Sequence, residues 1–454
     1  MQRYQKNFSI SLVITLLVFS FMVHQSFKYH KWTGPSIIKY DVTSYYSYLP
    51  AAFIYHDFAF NFLDSLPEDI NNKAMYHQID GKGKVQKMTM GVAVLWSPFF
   101  LIANKYYSLK NKDDNGYGKS YRHSIAMAAL FYALTGLIFL RRIFLKLFNE
   151  PVAAIMVILI AIGTNLFNYT INDCGMSHVY TFCFVSVFAW LSVKWNENIH
   201  SVKYLFFLLA VGGLITLIRP LNILILLFPF FYYSDRNHLI EKIKLFKKKF
   251  YLVPLLILAF LIPIIPQLLY WKYMTGHYIY YSYTNEQFYF SHPHILDGLL
   301  GFRKGLFIYT PFMLLVFPGL YFSFKKKYPF SSIVFIISII FIYTTFSWWC
   351  WWYGGSFGAR TMIDFYPLFS LPIGVFVYTI LNKPLLVKVP FFLLLGFFVW
   401  LNLFQTKQYE TTLLHYDSMN FKLYLKIFGT NRWPENYDQL LEHPDYDKAT
   451  IGAE

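Results

Sequence analysis

The chain has 454 residues, of which 56% are hydrophobic and only 14% are charged. The apolar residues fall in runs of roughly 17 to 22, long enough to span a bilayer, which excludes a soluble protein and predicts an integral membrane protein. The net charge of +16 does not by itself indicate a nucleic-acid partner, because many lysines and arginines cluster beside the apolar runs, as they do in cytoplasmic loops. We therefore expect no nucleic-acid partner.

The first apolar run, Phe8–Phe27, follows Arg3 and Lys6 and lacks a small-residue cleavage site after it. This pattern predicts an uncleaved signal anchor with a cytoplasmic N-terminus. A long polar and aromatic stretch follows, and then the apolar segment Gly91–Tyr107, which contains a proline. A span there would place later basic clusters outside, so we predict an interfacial or re-entrant helix within a large first external loop, about residues 28–123.

The remaining spans follow from the hydrophobic runs and from the basic loops between them. Ten further helices are predicted at about residues 124–146, 151–169, 178–194, 203–218, 220–233, 251–271, 305–323, 330–347, 363–381 and 386–403. The sequence around Arg219 and Pro220 fits two short helices or one of about 30 residues, and the basic loop that follows favours two. We therefore predict an all-α bundle of about eleven transmembrane helices over residues 1–403, with an external tail at 404–454.

Four external segments combine ionisable and aromatic residues under this topology: Tyr40–Tyr55, Asp173–Tyr180, Trp271–Tyr309 and Trp348–Asp364. In the first, Asp41 could face a cavity at the membrane surface or cap the helix that follows, and the local sequence favours neither. In the third, Arg303 and Lys304 precede a helix that enters from outside. They suit a lipid phosphate or simply extend to headgroups.

Arg360 follows three glycines in the fourth segment, where a loop could close around an anion. The neighbouring tryptophans, Trp352 among them, are typical of a membrane-interface belt. His178 begins a helix on the same side, where a structural hydrogen bond is favoured over a substrate contact, and Arg219 stands at an external helix end. The three cysteines show no metal or redox spacing, and no metal-binding pattern appears.

Several motifs occur in one order along nearly the whole chain to about Leu403. They are the Asp that opens the first loop, GVAVLWSPFF, SHVYTF, LIRPLN, TGHYIYYSYTNEQF, RKGLFIYTP and WWYGGSFGAR. In this order they resemble the GT-C superfamily of membrane glycosyltransferases, near the protein O-mannosyltransferases and aminoarabinose transferases and most similar to uncharacterised bacterial members. One departure is Val42, where O-mannosyltransferases often carry a second acid, so the acceptor class does not carry over.

The resemblance implies a GT-C-like fold and transfer of a sugar from a polyprenyl-phosphate donor. Asp41 would be the general base, because transfer needs a group that takes the acceptor proton. Cations would stabilise the departing phosphate, and the candidates are Arg360, Arg303, Lys304 and Arg219. Substrate contacts are expected from His178, Tyr45, Glu286, Tyr283 and Trp352.

The expected function is therefore glycosyl transfer to a glycolipid, glycan or protein at the outer face of a bacterial cytoplasmic (inner) membrane. No cofactor or metal is expected. The partners would be the polyprenyl-phosphate-linked sugar, its acceptor and membrane lipids. Three alternatives remain open: a flippase or transporter for a lipid-linked sugar, a lipid-linked polysaccharide polymerase or ligase, and a non-catalytic scaffold. The nearly uncharged centres of the spans speak against transport.

Overall fold

The structure is a computed structural model that describes residues 9–34, 37–71, 73–110, 115–233 and 235–453. Arg3, Lys6 and Phe8, which support the predicted signal anchor, lie outside these residues. The described chain is mostly helical. Its α-helices in chain order are α1 (Ile10–Tyr29), α2 (Asp41–Tyr46), α3 (Tyr48–Pro50), α4 (Glu68–Asn71), α5 (Gly91–Leu109), α6 (Lys119–Leu147), α7 (Glu150–Ile162), α8 (Leu166–Ile171), α9 (His178–Glu197), α10 (Val202–Ile218), α11 (Leu227–Phe230), α12 (Arg236–Lys248), α13 (Val253–Leu261), α14 (Ile265–Thr275), α15 (Ile295–Leu300), α16 (Leu306–Tyr309), α17 (Val316–Lys325), α18 (Ser331–Phe346), α19 (Tyr366–Leu381), α20 (Leu385–Glu410), α21 (Phe421–Ile427) and α22 (Tyr446–Thr450).

Short helices of other geometry join several of these elements. Ala51–Tyr55 is a π-helix. The 3₁₀ helices are Lys31–Thr33, Asn61–Ser65, Pro220–Leu226, Phe250–Leu252, Pro311–Leu315, Arg360–Phe365 and Asp438–Leu440. Strands β1 (Tyr76–Ile79) and β2 (Gly83–Gln86) pair antiparallel, with Tyr76 opposite Gln86.

Long apolar helices indicate a membrane protein. Among the described residues, four helical segments are long and apolar enough to cross a membrane: Ile10–Thr33, Lys119–Leu147, Arg360–Leu381 and Leu385–Glu410. A fifth results if Phe250–Leu261 and Ile265–Thr275, bent by 67° at their junction, are counted together. Shorter apolar helices lie at Glu150–Ile162, Val202–Ile218, Pro220–Phe230, Pro311–Lys325 and Ser331–Phe346. Large apolar side chains along α20, such as Leu386, are exposed, as expected for a lipid-facing helix.

Several predicted spans are broken where the sequence interrupts the helical hydrogen-bond ladder. The run predicted at 151–169 ends at Ile162 before Gly163 and resumes as α8. The run predicted at 251–271 is interrupted between α13 and α14 around Pro263, because proline lacks the amide proton that a helix needs. The break predicted at Arg219 and Pro220 is confirmed, since Arg219 is extended and a 3₁₀ helix follows it.

Basic and acidic side chains link the C-terminal ends of several helices at one end of the bundle. Lys146 of α6 pairs with Glu197 of α9 at 2.6 Å, and Lys326 donates to Thr379 at the end of α19. The opposite ends of α9 and α19 meet at His178 and Asp364. A helix of 20 residues such as α9 is about 30 Å long, so the Lys146–Glu197 pair and the His178–Asp364 contact lie at opposite ends of the bundle.

The segment after α20 packs back onto the loops at the His178 end. The Ser356 amide donates to the Tyr416 carbonyl at 3.0 Å, and the Tyr289 hydroxyl donates to the Thr450 carbonyl. The Tyr446 ring packs edge-on against the Trp352 ring. The last helix before the tail, α20, ends at Glu410, so the tail predicted at 404–454 begins after that residue. It covers part of the loops at the His178 end.

Candidate active site

The centre of the site is an ion pair between the first loop and the glycine-bearing loop. Arg360 Nη2 donates to Asp41 Oδ2 at 3.0 Å, although the two residues are 319 positions apart. The Arg360 and Asp41 side chains are 12% and 20% exposed, so the pair is partly accessible. The fold thus brings together two residues that were both selected from the sequence as site candidates.

Backbone geometry directs both side chains. Asp41 is the first residue of α2, and its predecessor Tyr40 has φ 52° and ψ −128°, a conformation that non-glycine residues rarely adopt. The N-cap of α2 is Tyr40 and Asp41 lies within the helix, so the N-cap interpretation of Asp41 is wrong. Arg360 begins a 3₁₀ helix after Gly358, whose φ is +60° and where a Cβ would lie 2.9 Å from Tyr309 Cβ. Only glycine fits this turn.

Arg360 retains hydrogen-bonding capacity beyond the ion pair. Its Nη1 lies 3.6 Å from the Met176 sulfur, a weak acceptor, and its buried Nε has no hydrogen-bond partner among the described residues. A buried donor without an acceptor is unfavourable. The guanidinium therefore keeps N–H donors that Asp41 does not use.

A second carboxylate, Asp364, lies four residues after Arg360 and is fully buried. It accepts hydrogen bonds from His178 Nδ1 and Asn222 Nδ2, each at 2.9 Å, and forms an ion pair with Arg219, whose Nε lies 3.0 Å away. A buried carboxylate needs such partners to offset its desolvation. The network fixes the start of α9, the end of α10 and the 3₁₀ helix before α19 relative to one another.

The Asp364 network explains the predicted residues His178 and Arg219. His178 is completely buried, so the favoured interpretation, a structural hydrogen bond, is confirmed, and a direct substrate contact would require rearrangement. Arg219 keeps a side-chain exposure of 20% and its Nη1 lies 3.5 Å from Ser177 Oγ. Arg219 is therefore oriented by Asp364 and still partly accessible.

Two buried tyrosines lie within electrostatic range of the ion pairs. Tyr45 lies one turn after Asp41 in α2, where burial raises its pKa and both Arg219 and Asp41 act on it electrostatically. Burial also raises the pKa of Tyr283, with Tyr45, Arg219 and Asp41 close enough to contribute. Both hydroxyls therefore stay protonated at neutral pH, and that of Tyr283 donates to the Met88 sulfur at 3.3 Å.

Glu286 is already paired. Lys87, just before α5, forms a salt bridge with Glu286, and the Lys87 ammonium lies 5.4 Å from the centre of the Tyr283 ring. Two other acids of the first loop are also engaged: Asp64 pairs with Lys84 at 2.6 Å, and Asp57 accepts from the Ala59 and Phe62 amides. Asp41 is thus the acid that the structure places beside Arg360.

Arg303, Lys304 and Trp352 lie under the C-terminal segment. The buried Lys304 ammonium donates to the Ser356 and Tyr416 carbonyls, and burial lowers its pKa to about 7. The Arg303 guanidinium stacks over the buried Trp352 ring, with 5.3 Å between their centres. Lys304 and Trp352 therefore join the glycine-bearing loop to the C-terminal segment in this structure, and their predicted contacts with substrate stay predictions.

Asp364 and Asn222 were not predicted from the sequence as site residues. Asp364 interrupts an otherwise apolar run, and an acid inside a spanning segment is a signal of function. Asn222 follows Arg219 and Pro220 in the LIRPLN motif, where only the basic residue was considered. No protein-family model matches the chain, and a search of the curated proteins finds no significant match.

Proposed function

We propose that the protein is a GT-C-like membrane glycosyltransferase that moves a sugar from a polyprenyl phosphate to an acceptor. In this proposal about eleven segments cross a bacterial cytoplasmic membrane, with the Asp41 site facing outward. Beyond the four segments that are long enough alone, the five shorter apolar helices, the bent pair α13 and α14, and α9 supply the seven further crossings.

The contact between Asp41 and Arg360 carries the proposal. A carboxylate and a guanidinium joined at 3.0 Å and partly accessible provide a proton acceptor and an anion ligand side by side. Arg219, held by Asp364, adds a second cation on the same side. This pairing of charges matches a reaction in which an acceptor loses a proton while a phosphate leaves.

The chemistry can be written with these residues alone. Asp41 takes the proton from the acceptor hydroxyl or amine as the acceptor atom bonds to the anomeric carbon, and the bond from that carbon to the phosphate oxygen breaks. Arg360 and Arg219 stabilise the negative charge on the departing polyprenyl phosphate. Phosphate is a good leaving group and needs no separate acid. We propose that no metal takes part.

The test uses purified protein, a radiolabelled polyprenyl-phosphate hexose and a bacterial membrane extract as the source of acceptor. We expect loss of donor and label in a new product, insensitive to EDTA. Arg360→Ala should abolish turnover, while Lys448→Ala, which removes the exposed cation of the pair with Asp445, should not. Loss of turnover in EDTA would refute the metal-free mechanism. Donor that binds but stays intact would refute transfer and favour transport of the lipid.

A further inference from the structure

Tyr40 combines backbone strain with exposure directly beside Asp41. Its φ of 52° and ψ of −128° are unfavourable for a residue with a side chain, yet its ring is 58% exposed and gains little from packing. The backbone is held by the Tyr40 amide, which donates to the Lys73 carbonyl at 3.1 Å. The fold therefore keeps an exposed aromatic ring at a strained position next to the candidate base.

Tyr416, in the C-terminal segment, presents a second exposed ring near the same pair. It is 51% exposed, and a Cβ built on Gly355 would lie 3.1 Å from its Cδ2, so the ring packs on the glycine loop that leads to Arg360. Its carbonyl is bound by the Ser356 amide and the Lys304 ammonium. The ring of His415 stacks on it, with centres 4.2 Å apart.

The two tyrosines lie close to each other as well as to the ion pair. Partial burial raises the pKa of Tyr416, and Asp417 and Tyr40 raise it further, which places the Tyr40 hydroxyl within electrostatic range. Tyr40 precedes Asp41 directly, and Tyr416 lies against Gly355, five positions before Arg360. The contact of Asp41 with Arg360 thus joins the chain segment that carries Tyr40 to the loop on which Tyr416 packs.

We propose that Tyr40 and Tyr416 form the walls of a sugar-binding subsite, so that the C-terminal segment takes part in substrate recognition. The C–H bonds on one face of a pyranose or furanose ring present positive hydrogens to the negative face of an aromatic ring. The neighbouring carboxylate and guanidinium would satisfy the sugar hydroxyls. The inference rests on the proposed function and assigns it a specificity-determining pair.

A binding experiment separates sugar recognition from phosphate recognition. The thermal stability of the purified full chain is measured in detergent with polyprenyl phosphate, and then with the same lipid carrying glucose, galactose or mannose. We expect both kinds of lipid to stabilise the parent, and at least one hexose lipid to do so more strongly. Tyr40→Gly and Tyr416→Ala should remove the difference and keep the stabilisation by the sugar-free lipid.

The variants are chosen so that folding does not decide the result. Glycine suits a φ of 52° and should relieve strain at position 40. Tyr40→Phe and Tyr416→Phe keep the rings and should keep the difference. Controls are Tyr278→Ala and Trp433→Ala, which remove rings that are 57% and 52% exposed elsewhere. In turnover assays each ring removal should raise the donor KM about 2- to 10-fold, with a smaller change in kcat.

Three results would overturn the inference. Equal stabilisation of the parent by the sugar-free lipid and every hexose lipid would leave a phosphate site without a sugar subsite. A difference that persists in both Tyr40→Gly and Tyr416→Ala would place the sugar elsewhere. If none of these lipids stabilises the parent, the proposed function itself fails and the subsite with it, which is distinct from the first two results.

Discussion

Replacement of Asp41 by asparagine separates its two roles, proton acceptor and partner of Arg360. Asparagine has nearly the same shape and still offers an amide oxygen to the Arg360 guanidinium, but it has no carboxylate to take a proton. General-base contributions are typically about 100- to 10,000-fold, so turnover should fall by that order. The structure adds an expectation for binding, because Asp41 and a phosphate would share the same guanidinium.

The size of the binding effect follows from the contact. The Arg360 Nη2 to Asp41 Oδ2 hydrogen bond is 3.0 Å long and lies between side chains that keep 12% and 20% exposure. A hydrogen bond to a charged group contributes about 1.5–3 kcal/mol, and partial exposure favours the lower value. Removing the competing charge should therefore tighten donor binding by up to about tenfold.

The assay pairs single turnover of radiolabelled donor with equilibrium binding of the same donor, and thermal denaturation confirms folding. Asp445→Asn, in the exposed pair with Lys448, is the matched control and should behave like the parent. A folded Asp41→Asn variant with unchanged turnover would refute the assignment of Asp41 as base. Weaker donor binding in that variant would refute competition for Arg360.

Three further predictions concern other parts of the site. Arg360→Lys keeps the charge but loses the planar guanidinium, so donor affinity and turnover should both fall. Isothermal titration with polyprenyl phosphate measures the affinity. If the variant binds like the parent, the loop is only a membrane-interface element. Asp364→Ala leaves Arg219, His178 and Asn222 without their shared partner and should lower the free energy of unfolding by about 3–5 kcal/mol. A lower Tm would show this loss, and Asp364→Asn should lose less. An unchanged Tm would contradict the network. Burial lowers the pKa of Lys304 to about 7, whereas the unfolded chain keeps this amine protonated to about pH 10. The unfolded state therefore binds more protons between these values, so the parent should gain stability relative to Lys304→Met as pH rises from 7 to 9, and a constant difference in Tm would refute this.

The local sequence predicted where the helices lie, but it did not predict where most of them are interrupted. The apolar runs and their basic flanks indicated where helices lie, because burial in lipid demands apolar side chains and internal backbone hydrogen bonding. The sharp bend between α13 and α14 was missed although Pro263 signals it, because proline is tolerated in many spanning helices. Length and hydropathy alone do not decide between a kink and a break.

The site was predictable in its residue types and not in its pairings. Asp41 and Arg360 both stood out as ionisable groups in external aromatic segments, but no local pattern links positions this far apart. Lys304 carries the same charge as Arg360, and only the tertiary fold decides that its ammonium meets two backbone carbonyls. Asp364 was not predicted because only the positively charged residues in this part of the chain were considered as ligands.

The 3₁₀ helix Arg360–Phe365 sets a fixed length between the two charged pairs. Its residues rise about 2 Å each, so Arg360 and Asp364 are about 8 Å apart along the axis, and Arg219 is held from the Asp364 end. The length of this helix therefore determines the separation of the two guanidinium groups. Insertion or deletion of one residue within it would rotate one pair by about 120° relative to the other, so this segment can change in composition but not in length.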